Sequence, residues 1–112
     1  MSLSSLTVGT KSITLIPNKY QGYSVHLDGA ANSETIVNYA ISATAQTSGA
    51  TLSYSMIDSS ASNYLSVLDI DGWQVSVDGI TDGATGTLCI GVTYEGVTNI
   101  YEIGIIIDPT EA

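Results

Sequence analysis

Apolar and polar residues alternate along most of this chain, and Gly, Asn, Asp or Pro interrupts the alternation at short intervals. A side-chain period of two is the signature of a strand with one buried face. Near the start, Ser12-Ile13-Thr14-Leu15-Ile16 alternates and stops at Pro17. Gly22-Tyr23-Ser24-Val25-His26-Leu27 follows, with Tyr23, Val25 and Leu27 on one face, and ends at Asp28-Gly29. A longer strand is expected from Thr35 to Thr47, apolar at Val37, Tyr39, Ile41, Ala43 and Ala45, with Ser48-Gly49 as its turn. Leu52, Tyr54 and Met56 then alternate with Ser53 and Ser55. No segment of useful length has a helical period, and no internal repeat is found.

The C-terminal half offers two hairpins in which the register can be tested. Asp71-Gly72 and Glu95-Gly96 are residue pairs favoured in two-residue hairpin turns. With Asp71-Gly72 at the tip, Ile70 faces Trp73, Leu68 faces Val75 and Ser66 faces Val77. With Glu95-Gly96 at the tip, Tyr94 faces Val97, Val92 faces Asn99, Ile90 faces Tyr101 and Leu88 faces Ile103. The opposite face of the second hairpin pairs Thr93 with Thr98, Gly91 with Ile100 and Cys89 with Glu102. Each register collects apolar side chains on one face, and a slip of one residue would reverse that sorting. Ile105 and Ile107 continue the inner face, and Pro109 ends the strand.

About seven strands at roughly 8–12-residue spacing, with no helix, predict an all-β, two-sheet antiparallel sandwich. The length of 112 residues suits one domain with its own core. Residues 1–3 read as an expression scar, 4–109 as the domain and 110–112 as a linker remnant. The loops Asn32-Ser33-Glu34 and Ser59-Ser60-Ala61-Ser62-Asn63 are polar and expected at the surface. Eleven carboxylates against two lysines give a net charge of −9. That balance argues against nucleic acid, whose phosphates are bound by Lys and Arg, and against anionic membrane surfaces. The longest apolar run, Ile105-Ile106-Ile107, is too short to span a bilayer.

The stretches Tyr64-Leu65-Ser66-Val67-Leu68-Asp69-Ile70-Asp71-Gly72-Trp73-Gln74-Val75 and Gly83-Ala84-Thr85-Gly86-Thr87-Leu88-Cys89-Ile90-Gly91-Val92 resemble bacterial immunoglobulin-like domains of the group-2 type. The resemblance covers residues 64–108. It implies an immunoglobulin-like sandwich and a tandem module of a longer extracellular, cell-surface or phage virion protein. The roles it implies are adhesion, spacing or assembly, and the partners are flanking domains, a surface glycan or a host protein. The family shares no catalytic residues, so none is carried over, and no cofactor is expected.

The residues themselves also point away from catalysis. His26 is the only histidine, and its place between Val25 and Leu27 puts it on the solvent side of a strand. Cys89 is the only cysteine, so an intrachain disulfide is excluded. Its expected neighbour Glu102 opposes formation of a thiolate. Asp69, Asp71, Asp78 and Asp82 are weighed as calcium ligands, since Asp-rich loops supply the oxygens calcium takes. Turn placement beside glycine accounts for most of them equally well, and Asp69 and Asp71 sit at one end of their hairpin, Asp78 and Asp82 at the other. Trp73 and seven tyrosines could in principle form a platform for sugar rings, the alternative function being a carbohydrate-binding accessory module. Trp73, Tyr54, Tyr39 and Tyr94, however, fall on expected inner faces, which favours core packing.

Overall fold

The computed structural model describes residues 2–61 and 64–110. Ser62 and Asn63 of the expected Ser59–Asn63 loop lie outside the described residues, as do Met1, Glu111 and Ala112. The described residues form nine strands: β1 (Leu3–Val8), β2 (Lys11–Ser12), β3 (Tyr23–Asp28), β4 (Ile36–Ala45), β5 (Thr51–Ile57), β6 (Leu65–Asp69), β7 (Trp73–Asp78), β8 (Ala84–Tyr94) and β9 (Val97–Asp108). They form a five-stranded sheet ordered β2-β1-β4-β7-β6 and a four-stranded sheet ordered β3-β9-β8-β5. The two apolar faces meet in one core. Leu6, Val8, Leu65, Val75 and Val77 come from the first sheet, and Leu88, Ile90, Ile103, Ile105 and Ile107 from the second.

The β8–β9 hairpin has the expected register, from Tyr94↔Val97 through Cys89↔Glu102 to Ala84↔Ile107. Glu95 and Gly96 both have positive φ, 51° and 80°, as a two-residue primed turn requires. The inner faces of β3 and β4 also follow the alternation: Tyr23, Val25 and Leu27 are buried, and Ser24, His26 and Asp28 are exposed.

The β6–β7 hairpin departs from the expected register by one residue. Asp69 pairs with Trp73, Val67 with Val75 and Leu65 with Val77, so the loop is Ile70-Asp71-Gly72. The slip turns Leu65 and Val67 inward and leaves Leu68 and Ile70 exposed. The competing register would set the Ser66 hydroxyl on the inner face in mid-strand. The observed one puts Asp69 there instead, at the exposed tip, where water solvates it.

The N-terminal third differs most. Residues 13–16 were expected in a strand, yet the ladder ends at Ser12, and β1 lies upstream. A bulge between Leu3 and Ser5 shifts the β1–β4 pairing. It breaks the period of two, which hid this strand: the buried residues are Leu3, Leu6 and Val8. Gly9, at φ 61°, turns the chain into β2. The count of nine rather than about seven arises here, because the leading segment is divided into β1, β2 and β3 between the two sheets. The sheets are not wholly antiparallel either: β3 runs parallel to β9, from Tyr23↔Ile103 to Asp28↔Asp108. The chain between β2 and β3 crosses from the five-stranded sheet to the four-stranded one.

The crossing is tied down by tyrosine. The Tyr23 hydroxyl accepts from the Ile16 N–H at 2.9 Å and donates to the Lys19 carbonyl at 2.8 Å. The Lys19 ammonium stands 5.4 Å from the ring centroid. Tyr23→Phe is expected to lower stability by about 1–3 kcal/mol, since it removes two partners while the ring stays packed. Urea unfolding measures this, and an unchanged midpoint would mean the crossing is held by other contacts. Tyr101 serves the same purpose at the chain's start, where its hydroxyl accepts from the Leu3 N–H at 3.0 Å.

Candidate functional site

One end of the sandwich gathers the β3–β4, β5–β6 and β7–β8 loops. Between them lies an open cleft of about 400 Å³, with Ser33, Tyr64, Asp78, Thr81 and Asp82 on its walls. Each wall residue has a local cause. Asp78 ends β7, where its N–H bonds the Tyr64 carbonyl at 2.8 Å. Gly79, at φ 65°, approaches the Ser33 backbone so closely that a Cβ there would collide with it. Gly79 also donates to the Thr35 carbonyl at 2.8 Å, which joins the β3–β4 and β7–β8 loops. Tyr64, in the turn that leads into β6, is exposed, while the next residue, Leu65, is fully buried.

Tyr64, 56% exposed, is the one exposed aromatic residue among those described. Trp73 stacks on Tyr54 at 5.2 Å between ring centroids, and Tyr20 meets Tyr101 edge-on at 4.9 Å. Tyr39 packs against the core and donates its hydroxyl to the Asp28 carbonyl at 2.6 Å. Burial raises the pKa of Tyr39 and of Tyr54, and the Asp28 carboxylate adds to the rise at Tyr39. Tyr94 is half-buried beside the hairpin tip. The aromatics therefore form no exposed row on either sheet.

The four weighed aspartates do not converge. Asp69 and Asp71 lie at the β6–β7 tip, while Asp78 and Asp82 flank the cleft at the other end of β7, about 17 Å away at strand rise. Among the described residues, no three His, Cys, Asp or Glu side chains come together as metal ligands. The β6–β7 hairpin sets Tyr64 opposite Asp78, one step beyond the Leu65–Val77 pair, and the one-residue difference from the expected register hid this neighbourhood in the sequence.

His26 lies on the outer face of β3, its Nδ1 2.8 Å from Asp108 Oδ1, with both side chains about half exposed. A contact this open to water contributes little to stability. Cys89 is half-buried on the outer face of β8, opposite Glu102. Burial pushes its thiol pKa up, the Glu102 and Asp58 carboxylates push it further, and a hydrogen bond with Ser55 opposes them. A raised pKa leaves less thiolate at neutral pH, so Cys89 is expected to alkylate more slowly than a free thiol of ordinary pKa at pH 7.5. Its rate should still be climbing where the free thiol's has levelled off. A rate equal to that of glutathione across the pH range would contradict this.

A second opening, of about 260 Å³, lies at the opposite end between Ser4, Leu15, Pro17, Gln46 and Tyr101. It carries no titratable group other than the buried Tyr101 phenol. No helix among the described residues is long and apolar enough to cross a membrane. Comparisons with protein-family models, curated proteins and solved structures return no match.

Proposed function

We propose that this chain is a non-catalytic immunoglobulin-like module that spaces or joins parts of a larger extracellular, cell-surface or virion protein. The strand order carries this reading. In one sheet β1, β4, β7 and β6 follow each other as strands A, B, E and D do in immunoglobulin-like sandwiches. In the other, β9, β8 and β5 follow each other as G, F and C do, with β3 added beside β9. The described groups also lack a nucleophile paired with a base, since the lone His26 is engaged with Asp108 on an open strand face.

The geometry suits a spacer under load. Leu3 lies at the Ala45 end of β4, beside Tyr101 of β9, and Asp108 lies at the far end of β9. β3 and β9 run parallel, so tension between the two ends loads their six register pairs in shear together. An unzipping geometry would load them one at a time. A tandem polyprotein of this domain, pulled end to end, is expected to unfold at several-fold higher force than the domain pulled through two attachment points at the same end. Equal forces in the two geometries would count against a load-bearing role.

A second reading has one specific observation behind it. Tyr64 stands exposed at a cleft that also carries Asp78 and Asp82. An aromatic ring beside carboxylate acceptors is the chemistry that holds a sugar's apolar face and its hydroxyls. Glycan-array binding that is lost in Tyr64→Ala would move the assignment to a carbohydrate-binding module. Absence of binding would leave the spacer reading alone.

A further inference from the structure

A strand at the rim of a sheet presents unpaired N–H and C=O groups, and proteins blunt such rims with brevity, charge, proline or bulges. Three of the four rims here carry such a device. β2 has two residues, backed by the bulged β1. β6 has five residues and ends in Asp69. β3 sets His26 and Asp28 on its outer face. β5 has none of them: Thr51-Leu52-Ser53-Tyr54-Ser55-Met56-Ile57 contains no charge and no proline, and it pairs with β8 alone in unbroken register.

We infer that the free rim of β5 is a self-association surface, on which a second copy of this chain pairs its own β5 antiparallel about a two-fold axis at Tyr54. Two four-stranded sheets then become one continuous sheet. The second copy is indicated by the symmetry of the segment. About Tyr54, Leu52 falls opposite Met56 on the inner face, the Ser53 hydroxyl opposite that of Ser55 on the outer face, and Thr51 opposite Ile57. A two-fold contact needs a surface complementary to itself, whereas pairing with an unrelated strand needs no such symmetry. Charge permits the approach in spite of the net −9. Asp58 falls opposite Ala50 of the second copy rather than opposite another carboxylate. Ile57, 43% exposed in the single chain, gains the Thr51 side chain of the second copy beside it. The inference does not depend on the spacer reading.

Sedimentation equilibrium from micromolar to millimolar concentration tests it. Two double variants place like charges opposite each other across the axis: Thr51→Lys with Ile57→Lys, and Thr51→Glu with Ile57→Glu. The parent chain is expected to show a monomer–dimer equilibrium. Each variant alone should weaken the dimer by at least about tenfold, since like charges directly opposite repel. An equimolar mixture of the two should restore it as a heterodimer. Circular dichroism on dilute samples verifies that the variants fold. If they do not, amide hydrogen exchange of β5 in the parent chain decides, with protection expected to rise with concentration. A parent chain that stays monomeric throughout, a dimer indifferent to both variants, or β5 protection independent of concentration would overturn the inference.

Discussion

Ile103→Ala is expected to lower the stability of the domain by about 3–4 kcal/mol, out of the roughly 5–15 typical of a natural domain. Ile103 is fully buried, faces Leu88 across β8–β9 and Tyr23 across β3–β9, and sits where the two sheets press together. Truncation removes the transfer energy of the lost carbons and leaves a cavity that neighbours fixed in three strands cannot close. The urea midpoint should fall with the slope unchanged, which separates lost packing from a change in the denatured state. Ile100→Ala on the same strand is the control. Ile100 is 54% exposed on the outer face, and its loss should cost less than about 1 kcal/mol. Equal costs at the two positions would mean that β9 does not present Ile103 inward and Ile100 outward.

Gly29→Ala should be nearly as damaging for the opposite reason, with a cost of about 3 kcal/mol from overpacking against backbone. A Cβ at Gly29 would stand 2.6 Å from the Ile80 carbonyl oxygen and 2.9 Å from that of Asp108. Neither oxygen can swing aside as the end of a side chain can. Gly29 N–H bonds Asp108, and Ala30 N–H bonds Ile80 at 2.8 Å, so the end of β3 is stitched to both β9 and the β7–β8 loop. Gly72→Ala provides the comparison. Its φ of 106° costs an L-residue something, but nothing lies within 4 Å of the added methyl. A loss of roughly 1–2 kcal/mol is expected there from backbone strain alone. Thermal unfolding of both variants checks the ranking, and a Gly72 variant less stable than the Gly29 one would contradict it.

Local pairings were readable from the chain, and long-range ones were not. The β8–β9 hairpin joins neighbouring segments through Glu95-Gly96, and turn chemistry and alternation agree on one register there. At β6–β7 the two signals diverge. Asp71-Gly72 is a favourable two-residue turn, yet the core takes Leu65 and Val67, and the loop grows by Ile70. Alternation names a buried face without naming the strand beside it. Tyr23, Val25 and Leu27 showed which side of β3 was apolar, while the parallel partner β9 lies some eighty residues downstream. In β1 the bulge removed even the alternation. Only part of the cleft was hidden for the same reason as β3's partner: Ser33 reaches it through the β3–β4 loop, whereas Tyr64 stands opposite Asp78 one step beyond the Leu65–Val77 pair of the β6–β7 hairpin. The pairing of Cys89 with Glu102 was readable, because it follows from a hairpin register alone.

The parallel pairing of β3 with β9 is the feature on which the shear geometry and the load-bearing form of the spacer reading depend. Interstrand nuclear Overhauser effects on a labelled sample measure it directly. The account predicts contacts of parallel type that step together from Tyr23 and Ile103 to Leu27 and Ile107, with the segment 23–28 protected from hydrogen exchange. Antiparallel contacts between these segments, or contacts that place residues 23–28 beside β4 in the other sheet, would contradict it.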